Sequence, residues 1–254
     1  MLPQEALYHL NFSPDIRAEY AILPGDPGRV EQIAAYLDEA KLIAENREYK
    51  TMLGTLEGKR VFVTSTGIGG PSAAIAVEEL YRAGVRTFLR VGTCGGISEE
   101  VAPGYLIIPT GAVRQEGTSF EYAPLSYPAV PDFTVTSALV RAAESLHASF
   151  RCGVVQSKDS FYGQHEPERM PVAYRLKEQW EAYKKLGVLS SEMECAALFT
   201  VCAALHARSG AVLHVIWNQE REKDTGRAES RFYPLLAIHT CMEAIRLLIR
   251  MESK

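Results

Sequence analysis

Short apolar runs alternate with longer amphipathic stretches along nearly the whole chain. AEYAIL (18–23), VFVTST (61–66), RTFLRVG (86–92), YLIIPTGAV (105–113), CGVVQS (152–157) and AVLHVIW (211–217) are short and rich in β-branched or aromatic residues, and each predicts a strand. The stretches between them carry apolar residues at helical spacing. RVEQIAAYL (29–37) follows the turn PGDPG; AAIAVEELYRAG (73–84) places Ala76, Leu80 and Ala83 on one face; TVTSALVRAAESLHA (134–148) turns Leu139, Ala143 and Leu146 inward. LSSEMECAALFTVCAALHA (189–207) and RFYPLLAIHTCMEAIRLLIR (231–250) read as two more helices, and 114–133 reads as a rigid loop excursion. This alternation predicts a largely parallel sheet with helices on both faces. In such sheets ligands collect beyond the carboxyl ends of the strands. Three predicted strand ends carry glycine there: Gly25; Gly67, Gly69 and Gly70; and Gly92, Gly95 and Gly96.

With 254 residues and 47% hydrophobic composition, one α/β domain spanning 1–254 can bury a substantial core. A net charge of -4 without a basic block argues against nucleic acid or an anionic membrane as partner. The five cysteines form no CxxC pair and their number is odd, so they read as reduced thiols. No basic start followed by an apolar stretch opens the chain, and no window approaches ~18 apolar residues, which places the protein in the cytoplasm. The histidines show no H-E-x-x-H pattern, so a transition-metal site is not expected.

Arg90 interrupts an apolar strand. A buried guanidinium keeps its proton and must be paired, yet no acid stands near it in sequence. Thr93, Cys94, Gly95 and Gly96 follow directly, small enough for backbone N–H groups to approach a ligand, which suggests an anion. Arg29, at a helix start after PGDPG, is either a solvated residue or a second anion ligand; its neighbours favour the latter, and Gly25, Arg29, Arg90 and Thr93 could hold one phosphate. Arg47, in AENREYK, reads by pattern as a surface residue. TGIGGPS is a weak dinucleotide match, because Arg90 stands where an acid would be wanted.

Two further stretches leave alternatives open. In SSEMEC, Ser191 and Glu194 fit a capping box, which would make Glu194 structural; a carboxylate at a strand-to-helix junction could instead accept sugar hydroxyls. Within 157–171, Phe161, Tyr162, Gln164, His165 and Arg169 form either an ordinary polar loop or a ring and an amide suited to a nucleobase.

Taken in order, LPGDPGRV, STGIGGPSAAIAVEEL, FLRVGTCGGI, SFYGQ and SSEMECAALF resemble the nucleoside phosphorylase family, its uridine-cleaving members most closely, from YHL at 8–10 to the closing helix. The resemblance implies a mixed, partly barrel-like central sheet flanked by helices, and a hexamer of paired subunits that share their sites. It implies reversible phosphorolysis of uridine to uracil and ribose 1-phosphate, with inorganic phosphate as co-substrate and no required cofactor. A purine-specific member or a nucleosidase is the alternative. Phosphate falls to Gly25, Arg29, Arg90 and Thr93, with Arg47 arriving from the neighbouring subunit against the surface reading; ribose to His9, also across the interface, and to Thr93, Met193 and Glu194. The base falls to Cys94, Gly95, Phe161, Gln164, Arg169, Ile216 and Trp217. Arg90 and Glu194 are the implied catalytic pair, and Glu48, Ile68 and Ser72 imply a potassium ion between paired subunits. Two departures touch the base. The family's Gln-x-Arg is Gln164-His165-Glu166 here, with Arg169 further on, so either Arg169 loops back or His165 substitutes; its Asn-Arg is Asn218-Gln219, with Arg221 following. Purine-specific relatives carry an aspartic acid at the place of Asn218, and an amide cannot supply that proton, which favours a pyrimidine.

Overall fold

The computed structural model describes residues 6–225 and 234–252. In chain order it contains β1 (Tyr20–Pro24), α1 (Gly28–Ala34), β2 (Asp38–Asn46), β3 (Tyr49–Leu56), β4 (Lys59–Thr64), α2 (Gly70–Arg82), β5 (Thr87–Gly96) and β6 (Leu106–Gln115). Then come α3 (Thr118–Tyr122), α4 (Phe133–Ser145), β7 (Phe150–Lys158), α5 (Phe161–His165), α6 (Ala173–Lys185), β8 (Ser190–Glu192), α7 (Cys195–Ala204), β9 (Arg208–Asn218), α8 (Gln219–Thr225) and α9 (Leu235–Glu252).

All six strands predicted from apolar runs are present, as β1, β4, β5, β6, β7 and β9. The β2–β3 hairpin escaped the pattern because β2 is exposed or half-buried throughout and presents no apolar face to detect. α6 also went unpredicted: its apolar side chains, Leu176, Trp180 and Tyr183 among them, are only half-buried and are set among charged residues. The helix expected over 189–207 starts only at Cys195. Residues 190–192 are instead drawn into β8, pairing with Val155, Gln156 and Ser157 of β7 and with the end of β5. The segment 114–133 is not simply loop: it opens with the end of β6 and α3, and the Arg114 guanidinium gathers it by donating to the carbonyls of Ser119, Ala123, Pro124 and Tyr127. The start of the closing helix expected from 231 lies outside the described residues.

The sheet runs β2-β3-β4-β1-β5-β8-β7-β6-β9, and β5 also pairs with β9, closing a five-strand ring β5-β8-β7-β6-β9. Pairs β1–β4, β1–β5, β5–β9, β6–β7 and β7–β8 are parallel, whereas β2–β3, β3–β4, β5–β8 and β6–β9 are antiparallel. The expectation of a largely parallel sheet is therefore corrected to the mixed, partly barrel-like sheet that the family resemblance implied.

Strand residues alternate between two cores, as the period of two requires. Ala21, Leu23, Phe62 and Phe88 face the layer built with Ala76, Val77 and Leu80 of α2 and Leu198 and Phe199 of α7. Tyr20, Ile22, Val61, Val63, Leu89 and Val91 face α1, α4 and α9. Ala76, Leu80 and Ala83 are fully buried as predicted, and burial of a side chain of the size of Leu80 stabilises by about 1.5–3 kcal/mol. Leu139 and Ala143 also point inward, but Leu146 caps α4 at its C-terminal end, beyond the reach of the core, and is exposed.

β5 extends through Thr93–Gly96 because all four residues pair with β9 and the last two also pair with β8. Gly95 and Gly96 pair with Trp217 and Asn218 of β9 and with Ser191 and Ser190 of β8, after a register shift between Cys94 and Gly95. Such irregularities re-aim side chains at the rim of a barrel, and the ends of β1, β5, β7, β8 and β9 converge here.

Candidate functional site

A cleft of about 620 Å³ opens at this convergence. Its lining includes Gly25 from the β1–α1 turn and Arg29 of α1, Gly67 and Ile68 after β4, Arg90 and Gly92 to Gly95 of β5, Lys158 of β7, Phe161, Gln164 and His165 of α5, Ser191 to Glu194, and Ile216 and Trp217 of β9. Most residues proposed from sequence are thus brought together.

Arg90 is 5% exposed and meets acids supplied from more than a hundred positions later in the chain. Its Nη2 donates to the Glu194 carboxylate, and its Nε lies 3.5 Å from Glu192. Burial works against the Arg90 charge, but Glu194 and Glu192 together hold its pKa above the ordinary value. Nη1 remains buried without a hydrogen-bond partner, so the guanidinium keeps capacity for an anion. Gly92 makes room for it: a Cβ there would stand 3.0 Å from Arg90 Nη2 and 2.9 Å from Leu213 Cδ2. Arg29 pairs with Asp26 at 3.8 Å; burial lowers its pKa, with Asp26 opposing and Arg90 adding to the shift.

Glu194 is held from two sides, by Arg90 and by the N–H of Gly69 at 2.7 Å. Gly69 has φ 97°, a conformation that side chains rarely adopt, and this aims its N–H into the cleft at the carboxylate. Burial pushes the Glu194 carboxyl up, against the pull of Arg90. The capping box is not formed. Ser191 lies in a strand, and the first turn of α7 is capped by Glu192, which accepts the N–H groups of Glu194 and Cys195, while Ser157 Oγ accepts that of Ala196.

The other wall is aromatic and amide. Ser160 caps α5 by accepting the Gly163 N–H, which sets Phe161 and Gln164 at the cleft. The rings of Phe161 and His165 have centroids 4.2 Å apart, and His165 and Trp217 are 5.6 Å apart. Burial, with help from Lys158, lowers the His165 pKa and so favours the neutral ring. Burial pushes the Cys94 thiol up to about 12, leaving it protonated.

Lys158 was missed by the sequence reading. It is 6% exposed, lines the cleft and donates to Ser191 Oγ at 2.6 Å, while Ser191 in turn donates to Gln164 Oε1 at 2.6 Å. Burial lowers its pKa to about 8, with Glu192 opposing. The signal was available: Lys158 directly follows CGVVQS, a cation at the end of an apolar strand just as Arg90 is.

Several expected site residues lie elsewhere in the single chain. Arg169 is exposed, pairs with Glu166 and does not line the cleft, so the option of its looping back is corrected; His165 is the residue found there. Arg221 donates to the Glu99 carbonyl at 2.8 Å. Asn218 is 2% exposed and committed to the fold: its NH2 donates to the carbonyls of Ser98 and Val101, and its oxygen accepts the N–H groups of Glu220 and Arg221. His9 holds Glu79 at 2.8 Å in a different hollow, and Arg47 is exposed in the β2–β3 turn with φ 56°. The Ser72 hydroxyl lies 3.2 Å from the Glu48 carboxylate, and Ile68 is exposed at the rim. Among the described residues no cluster of three or more His, Cys, Asp or Glu suited to a metal is gathered.

The sequence profile of the phosphorylase superfamily matches residues 19–240. A uridine phosphorylase of Treponema pallidum is 49% identical over 247 residues, covering 97% of this chain and 95% of that protein. A uridine phosphorylase of Escherichia coli is 42% identical over 248 residues, 96% of this chain and 98% of that protein. A guanosine phosphorylase of Halorubrum lacusprofundi is 39% identical over 229 residues, 90% of each.

Proposed function

The chain belongs to the phosphorylase superfamily, and from that premise we propose that it is a pentosyltransferase catalysing the reversible phosphorolysis of uridine to uracil and ribose 1-phosphate. One observation carries the reading. A single cleft joins two buried guanidiniums beside a glycine turn to a wall of rings and an amide, with a buried carboxylate between them.

In this reading Arg29, Arg90, Gly25 and Thr93 hold phosphate beneath the anomeric carbon, Glu194 and Met193 hold the ribose, and Phe161, Gln164, Cys94, Gly95, Ile216 and Trp217 enclose the base. As the glycosidic bond stretches, positive charge develops on the sugar and negative charge on the uracil. Phosphate, held as nucleophile, also stabilises the developing cation. Orienting two bound reactants supplies several kcal/mol, about 7–11 at the upper end. When phosphate enters, Arg90 has donors left for it while remaining tied to Glu194, so one ion pair aligns nucleophile and ribose.

The exposed turn that carries Arg47, and the position of His9 outside the cleft, fit a site completed by a second copy of the chain in paired subunits of a hexamer. A carboxylate, a hydroxyl and a backbone carbonyl at Glu48, Ser72 and Ile68 are the hard oxygen donors that an alkali ion takes, and potassium there would supply a bridge between paired subunits. A cytoplasmic location fits reduced cysteines; no described helix is long and apolar enough to cross a membrane.

The test is to incubate the protein with uridine or inosine, each with and without phosphate, and to follow the free base. Uracil release that requires phosphate is expected. Hypoxanthine release in its place would move the protein to the purine branch, and release without phosphate would make it a hydrolase.

A further inference from the structure

Lys158 ends β7 where the strand runs into the cleft, and its ammonium has almost no contact with solvent. An ammonium carries three N–H donors; among the described residues, Ser191 Oγ is the one hydrogen-bond acceptor it meets. The Ser191 hydroxyl in turn donates a hydrogen bond to Gln164 Oε1, which fixes the amide, and the Gln164 NH2 has no partner among the described residues. Phe161 is next to this group, its ring centroid 6.0 Å from Nζ. The other positive side chains lining the cleft, Arg29 and Arg90, lie against Asp26 and Glu194, whereas Lys158 stands with the amide and the ring.

We propose that Lys158 is the cationic group that meets the departing base, donating a hydrogen bond to a ring carbonyl oxygen of uracil as the C1′–N1 bond breaks. The inference rests on the phosphorolysis reading above. The C1′–N1 electron pair passes into the uracil ring, and a phosphate oxygen lone pair forms the new O–C1′ bond. The proton of the hydrogen phosphate ends on uracil through solvent, leaving ribose 1-phosphate as the dianion. Lys158 keeps its own proton and acts by placing a desolvated positive charge where negative charge develops.

Lys158 also faces Glu192 of β8, Glu194 ahead of α7, Cys94 of β5 and His165 of α5. A mere counter-charge for the two carboxylates would alter turnover of every nucleoside alike. A group that stabilises the leaving base matters less when the base leaves easily.

The experiment compares uridine with 5-fluorouridine, whose electron-poor base is the better leaving group, on the full chain carrying Lys158→Met, Lys158→Gln or Lys158→Arg. Lys158→Met is expected to lower kcat/KM for uridine about 100-fold and for 5-fluorouridine about 10-fold, with Lys158→Arg recovering most of the loss. Lys158→Gln gives the same comparison should the methionine variant fold poorly. Equal losses on both substrates, or an unchanged rate on uridine, overturn the role of Lys158. Wild-type protein that releases no uracil in the presence of phosphate overturns the phosphorolysis reading itself, a separate result.

Discussion

Arg90 and Glu194, 104 positions apart in the chain, form a buried ion pair on the floor of the cleft. The strand end supplies the guanidinium and the start of α7 supplies the carboxylate, so the pair ties together the two groups assigned to phosphate and ribose. Arg90→Ala orphans a buried carboxylate, and breaking such a pair costs about 3–5 kcal/mol. Phosphorolysis is expected to fall at least about 1,000-fold with a smaller effect on uridine binding, and the melting temperature to drop. In Arg90→Ala with Glu194→Ala neither charge is left alone, so the stability losses should be less than additive while activity stays absent. Thermal denaturation and steady-state kinetics together read both parts.

Gln164 has its oxygen occupied by Ser191 and its NH2 available to a heterocycle. Gln164→Ala should raise the KM for uridine about tenfold or more and leave the phosphate KM nearly unchanged. Equal losses in both would show that the division of the cleft into base and phosphate halves is wrong.

Lys158 has its pKa lowered from 10.5 to about 8. The charge assigned to the leaving base is therefore present below pH 8 and lost above it. Cys94 is protonated throughout this range, whereas burial brings the titration of Lys158 into it. The rate ratio of wild type to Lys158→Met should be flat near pH 6–7 and shrink as pH rises through about 8, a comparison in which titration of the substrates cancels. Stability carries the matching sign: between about 8 and 10.4 the unfolded chain binds the extra proton, so wild-type stability rises with pH across that window and the variant lacks the rise.

Asn218 cannot be exchanged for an acid without cost, because both its N–H groups are bound to the carbonyls of Ser98 and Val101. Asn218→Asp places a carboxylate against two carbonyl oxygens and should destabilise the protein by about 1–3 kcal/mol, read by denaturant unfolding, without conferring inosine cleavage.

Arg47 and Arg90 would serve one site from two subunits. Arg47→Ala and Arg90→Ala variants should each be nearly inactive, yet mixing and reassembling them should restore activity to about a quarter of wild type, because half the pairs are mixed and each mixed pair holds one complete site. Absence of recovery after subunit exchange, verified by native mass spectrometry, would remove Arg47 from the site.

Strands buried on both faces were legible from their short apolar runs, as in β1, β4, β5 and β9, and the first three of these lead into glycines where a ligand approaches. The sequence also marked Arg90 as a charge needing a partner, and it singled out Gly25 and Thr93 at strand ends and Phe161 and Gln164 in the 157–171 stretch, which do meet in one cleft. Elements that bury no residue completely, β2 and α6, went unnoticed because they add nothing to a continuous apolar core. That the sheet is mixed and curls into a ring is a property of the folded chain, because pairings such as β5–β8 and β6–β9 depend on which distant edges are free. For the same reason local pattern misassigned Ser191 and Glu194: a capping box uses neighbours, whereas Gly69, Arg90, Lys158 and Gln164 reach these two residues from other parts of the chain and outcompete the local bonds.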